Sequence, residues 1–386
     1  MNPYDCCVAN KVVNGKQLTV ASHVDDLMIS HEDPRVVDAF IEWCRQHYED
    51  KEITAMKPSR GLVHDYLGVI MDYSVPGKLK VSMKDYVWRM VEDFPYLGQV
   101  ESLPKASTPA AAHLFAVNPK AEKIDKKRAD DFHTTVAKGL FLCKRARPDL
   151  QPTIPFLCTR VAEPDEDDWK KLLHMLKYMQ ATKDLVLVIA LVFRDGKIVF
   201  KWCPDAAFAV HMDMKSHTGA CVSVGEGAPC TVSAKQKLNT RSSTEAELVG
   251  ADDIVPLALW MRLFVEAQGC ETEVIIFQDN KSAILLEING KESSSKRTRH
   301  INIRFYFIKD CNDKGFLSIQ YCPTDDMPGD YPSKPLQGQK FRKHRGWIMN
   351  IRMSQRSATG VCWPSCLGAQ PETRSVGLRW ELVFSD

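Results

Sequence analysis

From about Lys197 onward the chain follows one succession of patterns: strand, strand, strand, long helix, strand, helix, helix, strand. KIVFKWCPDAAF and EVIIFQDN are apolar runs of strand character that end on polar residues, and RSSTEAELVG opens a long helical pattern. A sheet must bury its apolar faces, so strands set ahead of long helices predict a layered α/β architecture with helices covering the sheet.

The 386 residues have room for two or three domains. Four segments are expected: 1–104, 105–192, 193–345 and 346–386. In the first, LTVASHVDDLMIS predicts a hairpin with Asp25 and Asp26 at its turn. Asp33-Pro34 then opens a helix whose apolar stripe is Val37, Phe40, Ile41, Cys44 and Tyr48. A second helix presents Tyr86, Val87, Met90, Val91 and Phe94. Residues 104–130, rich in Pro, Ala and Lys, read as a linker. Trp169, Leu172, Leu173, Leu176 and Met179 mark an amphipathic helix. LVLVIALVF is too short to span a bilayer and reads as a buried strand with a turn at Arg194-Asp195-Gly196. Beyond about Arg345 periodicity fades, and an irregular tail is expected.

The net charge of +2 gives no global basic field, so contact with nucleic acid has to come from local patches. The 13 cysteines form no CxxC pair, which speaks against zinc and for a reduced intracellular protein, cytoplasmic or nuclear. The N-terminus lacks a signal-peptide pattern, and no membrane partner is expected.

Four carboxylates stand in telling settings. Asp205 and Asp279 end apolar runs, Glu247 lies at a helix start, and Asp330 falls in TDDMPGDYPSKPL. Each has a structural reading. Thr244 with Glu247, and Ser242 with Glu245, fit capping boxes, and Asp279-Asn280 fits a turn. Taken in order, they fit a divalent-metal site better. Two ions about 3.5–4 Å apart suit phosphodiester hydrolysis, and magnesium takes carboxylate oxygens while keeping several waters.

RSSTEAELVGADD, LWMRLFVEAQG, IIFQDNKSAI, SKRTRHINIRFYFIKD, YCPTDDMPGDYPSKPL and DAAFAVHMDMKSHTG resemble the RNase H domain of copia-type LTR retrotransposon Pol polyproteins. The resemblance implies an RNase H-like mixed sheet flanked by helices, with Mg2+ or Mn2+ held by Asp205, Glu247, Asp279 and Asp330. Glu247 is the glutamate that matches the family site, leaving Glu245 to cap the helix. The implied activity is cleavage of RNA in an RNA/DNA hybrid. Lys296, Arg297, Arg299 and His300 lie in a basic stretch similar to the family's RTKHI, which implies phosphate contact. His300 either assists near the scissile phosphate or caps the next helix.

HVDD, HDYLGVIMDY, LKVSMKDYVWRMVEDF and RARPDLQPTIPFLCTRV resemble the end of the family's reverse transcriptase. A partial α+β palm and connection module is therefore expected before the RNase H-like domain, with Asp25 and Asp26 as further metal ligands and other parts of Pol as partners. Polymerisation is not expected, because a palm needs a third aspartate from an earlier strand, and fingers. Pro204 predicts that its strand ends early or bulges, and Pro332 predicts a non-helical Tyr331, with Asp330 either just ahead of a delayed helix or displaced. Pro256 predicts a kink beyond the first turn of the long helix. A carboxylate moved by about 1 Å can lose a hundredfold in rate. The alternative expectation is thus a folded, inactive remnant that binds nucleic acid. A DDE-type integrase is disfavoured by the early position of Glu247.

Overall fold

The computed structural model describes residues 1–48, 56–290, 302–351 and 380–385. Its central sheet comprises β1 (Lys197–Ala207), β2 (His217–Ser223), β3 (Cys230–Lys235), β4 (Thr272–Gln278) and β5 (Ser318–Tyr321). The spatial order is β3-β2-β1-β4-β5. β1, β2 and β3 pair antiparallel, whereas β4 runs parallel to β1 and β5 parallel to β4. The parallel connections carry helices α1 (Ser243–Glu266), α2 (Lys281–Asn289) and α3 (Asn302–Asp313), as parallel pairing requires. After β5 come a four-residue helix α4 (Asp330–Ser333) and α5 (Gly338–Met349). This is the expected α/β class: an RNase H-like mixed sheet flanked by helices.

Alternation along the strands sends side chains to two cores. Trp202, Ala220, Val222, Val274 and Ile276 face Leu248, Ala251, Ile254, Val255 and Ala258 of α1, joined by Ile308 and Cys311 of α3. Cys203, Cys221, Ile275 and Phe277 belong to a larger core with Phe132, Val136, Trp169, Leu172, Leu176 and Met179. Helices Lys126–Cys143 and Glu166–Ala181 supply those residues, so segment 105–192 shares the core behind the sheet. The expected linker joins it too, burying Ala106, Ala110, Leu114 and Phe115.

The expected hairpin forms from Lys16–His23 and Asp26–Ser30, and the Pro34–Tyr48 helix buries Val37, Ile41 and Cys44. Strand Leu187–Leu191 pairs with Lys78–Ser82, and Phe193–Arg194 turns back onto β1 through Asp195-Gly196. The tail departs from its expected irregularity. α5 continues to Met349, and Trp380–Ser385 pairs antiparallel with both Asp26–Ser30 and Met56–Ser59. The six-residue WELVFS run is short, and backbone pairing with two neighbours supplies what periodicity cannot signal.

Pro204 and Pro332 act differently from expectation. β1 runs through Pro204 and keeps register with β2 up to Ala207↔His217. Its pairing with β4 ends at Trp202, so Pro204 lies where one flank has already left the sheet. Pro332 and Tyr331 both lie inside α4. A proline in a first turn removes an N–H that has no intrahelical partner anyway. Pro256, by contrast, lies inside α1, which continues past it to Glu266, and the first turn of the helix is intact as expected.

Candidate active site

The ends of β1 and β4 and the start of α1 meet at one place on the sheet. Asp205 projects near the end of β1, with Gly219 of β2 opposite it in register. Asp279 follows the last residue of β4, where Asn280 caps α2 by accepting from the Ser282 and Ala283 amides at 3.0 and 3.2 Å. Glu247 lies in the first turns of α1. That helix is capped by Ser242, whose Oγ accepts from the Glu245 amide at 3.2 Å. Glu245 reaches back past the cap and accepts from the Arg241 amide at 2.8 Å. Asn280 Nδ2 donates to Thr244 Oγ1 at 3.4 Å, tying the two helix starts together.

Carboxylate oxygens of Asp205, Glu247 and Asp279 lie within 4.8 Å of one another. Asp205 is 1% and Glu247 7% exposed. Burial, followed by the charges of Asp205 and Asp279, raises the Glu247 carboxyl well above its usual range. Burial likewise raises Asp205, with Asp330 adding to the effect and Lys334 opposing it, to about 6. Glu247 Oε2 is buried and makes no hydrogen bond among the described residues. A buried carboxylate oxygen without a donor, facing two more carboxylates, fits a divalent cation: hard oxygen ligands, and charge for the ion to neutralise.

Asp330 is placed differently. It is fully buried at the start of α4, and it lies outside the group of three. Lys334 Nζ lies 2.5 Å from its Oδ1 and also 3.0 Å from Asp205 Oδ2, while Lys340 pairs with the other Asp330 oxygen. Burial alone would raise the Asp330 carboxyl, but Lys334 and Lys340 outweigh it and hold the group below its usual value. Ser333 Oγ donates to Asp205. Lys334, Ser333 and Lys340 are not marked by any of the sequence expectations. The four-residue spacing of Asp330 and Lys334 was the available signal.

Asp25 lies in the exposed turn after His23, and Asp26 starts the next strand. Neither is in a group of three or more close potential ligands among the described residues. The other such group is Asp5, Cys6 and Cys7, neighbours in sequence. Lys296, Arg297, Arg299 and His300 lie outside the described residues. Among those described, no helix is long and apolar enough to cross a membrane.

Sheet order and flanking helices define the class as an RNase H-like α/β domain joined to further α+β structure. Over most of its length the chain resembles the Pol polyproteins of retrotransposons. It is 24% identical over 326 residues to the retrovirus-related Pol polyprotein from transposon TNT 1-94 of Nicotiana tabacum, covering 83% of this chain and 23% of that one. It is 24% identical to the Pol polyprotein from transposon RE2 of Arabidopsis thaliana, covering 90% of this chain and 22% of that one. A transposon Ty5-1 protein of Saccharomyces cerevisiae is 24% identical over 61% of this chain and 72% of its own length. The chain thus spans less than a quarter of the two Pol polyproteins. No protein-family model matches it. Among solved structures, LC11-RNase H1 from compost aligns with a TM-score of 0.24 at 14% identity, covering 34% of this chain and 86% of that one. A foamy viral protease-reverse transcriptase in complex with RNA/DNA hybrid aligns with a TM-score of 0.37 at 9% identity, covering 77% of this chain and 31% of that one.

Proposed function

We propose that this portion of a retrotransposon Pol polyprotein hydrolyses the RNA strand of RNA/DNA hybrids with Mg2+ or Mn2+. The observation that carries this is the convergence of Asp205, Glu247 and Asp279, with a Glu247 oxygen left without a donor. These three would hold the ion. The chemistry it supplies when bound is activation of a water and stabilisation of charge on the phosphoryl oxygens. The chain's own part is positional. The end of β1, the end of β4 and the start of α1 fix the carboxylates, and Asn280 and Ser242 hold the two helix starts in place.

Cleavage of a strand-labelled hybrid by the metal-loaded protein is the test. Cleavage is expected with the parent and is expected to fall at least about a hundredfold in Asp279→Asn, since the change removes a metal ligand. Equal cleavage by the variant, or none by the parent, would sink the nuclease reading.

The lysine pairing of Asp330 favours a second reading: a folded remnant that binds hybrid without cutting it. Hybrid binding with no metal-dependent cleavage is its signature. In either reading Lys296, Arg297, Arg299 and His300 belong to the phosphate-contacting surface, and Asp25 and Asp26 are candidates for a separate metal contact. A hybrid affinity that does not fall with salt would remove the phosphate role.

A further inference from the structure

Asp330 stands opposite Asp205, and the space between their carboxylates is filled. Lys334 Nζ lies 3.0 Å from Asp205 Oδ2 and 2.5 Å from Asp330 Oδ1, bridging the two as a cation would. The ammonium is held there from several sides. Asp330 and Lys334 are one helical turn apart, and Ser333 between them donates to Asp205. Gly219 and Gly329 let α4 lie directly against β1 and β2. Lys340 takes the remaining Asp330 oxygen. The Lys334 side chain is still 36% exposed, so it can leave without unfolding anything.

Charge balance points the same way. Four carboxylates facing two ammonium groups leave a formal charge of minus two, one divalent ion's worth. A second divalent ion would leave an equal positive surplus in a largely buried site, unless an ammonium departed or a phosphate arrived.

We infer that Lys334 is a tethered cation in the position of a second ion, so that the resting site takes up one divalent ion and admits another only when Lys334 swings out. This rests on the metal-binding reading of Asp205, Glu247 and Asp279. Lys334 is a positioning residue here, acting through the carboxylates it bridges.

The test is calorimetric titration with Mn2+ of the metal-stripped full chain carrying Asp25→Asn and Asp26→Asn, which removes the separate candidate contact, with circular dichroism to confirm folding. Wild type and the Lys334 variants are all compared in that background. Wild type is expected to bind one ion, Lys334→Met two, and Lys334→Arg one, because arginine keeps the positive charge. Two ions in wild type, or one in folded Lys334→Met, overturns the inference. If Lys334→Met does not fold, the electron paramagnetic resonance spectrum of wild type with excess Mn2+ decides. An isolated-ion signal at the site supports the inference, and the spectrum of a coupled pair overturns it. Absence of any bound Mn2+ in wild type overturns both this inference and the metal-binding reading beneath it, whereas a two-ion wild type leaves that reading standing.

Discussion

Glu287 on α2 is fully buried, with Gln278 Nε2 donating to its Oε1 at 3.3 Å and its Oε2 without a partner among the described residues. Burial raises its carboxyl from the usual value to about 8, and the Gln278 bond opposes this only in part. The sign follows from linkage: the folded state holds the proton more tightly, so the contribution to stability is complete below about pH 4.5 and is lost as pH rises through about 8. Glu287→Gln should therefore flatten the alkaline side of the stability profile, gaining on the order of a few kcal/mol over wild type at pH 9. Thermal unfolding of both proteins from pH 5 to pH 9 checks this, and parallel profiles would refute it. Nothing in LLEIN told of that burial, because an exposed helical glutamate has the same letters around it. The grouping of Asp205, Glu247 and Asp279 was legible, since each stands at a strand end or helix start and the fold brings those ends together. Lys334 was not, because half of its role is a contact with Asp205 from a distant strand.

Among the elements, α4 depends on two glycines that provide room rather than unusual backbone angles. A Cβ on Gly329 would lie 2.4 Å from the Cys203 carbonyl oxygen, and one on Gly219 would lie 2.3 Å from the Ser333 amide nitrogen. Both obstacles are backbone, so relief requires moving the helix off the sheet. Gly329→Ala should cost about 1–3 kcal/mol. Gly98→Ala, at a helical position with nothing within 4 Å of the added carbon, should be neutral or slightly stabilising. Urea unfolding of the two variants measures the contrast, and equal midpoints would refute the close-packing account of α4. Strand and helix identities in the central sheet were readable from periodicity. The behaviour of Pro204 and Pro332 was not, because whether a missing N–H matters depends on which flank of a strand is paired and on where in a turn the proline falls.

At the scale of the whole molecule, the connection helices and the RNase H-like domain are joined by a buried polar network. Arg147 makes a two-pronged pair with Asp149 at 2.7 and 2.8 Å and also donates to Thr182 Oγ1 at 2.8 Å. Tyr178 donates to Asp149 at 2.8 Å, Arg345 of α5 reaches Tyr178 at 3.1 Å, and Tyr331 of α4 donates to the Asp149 carbonyl at 2.9 Å. Arg147→Met would strand the Asp149 charge and should destabilise the chain by about 3–5 kcal/mol. Tyr331→Phe should cost about 1 kcal/mol. Chemical denaturation gives both values, and a neutral Arg147→Met would mean the pair contributes nothing net. The network was invisible in sequence because its members come from four separate stretches, none with a motif of its own. The sheet that includes Lys16–His23 and Asp26–Ser30 carries a related dependence into biosynthesis. Trp380–Ser385 sits between Asp26–Ser30 and Met56–Ser59, so two strands made early on the ribosome wait with open edges for one made late. A nascent chain of this kind offers a template for pairing with its neighbours throughout elongation, and slowing translation should raise its demand for chaperones.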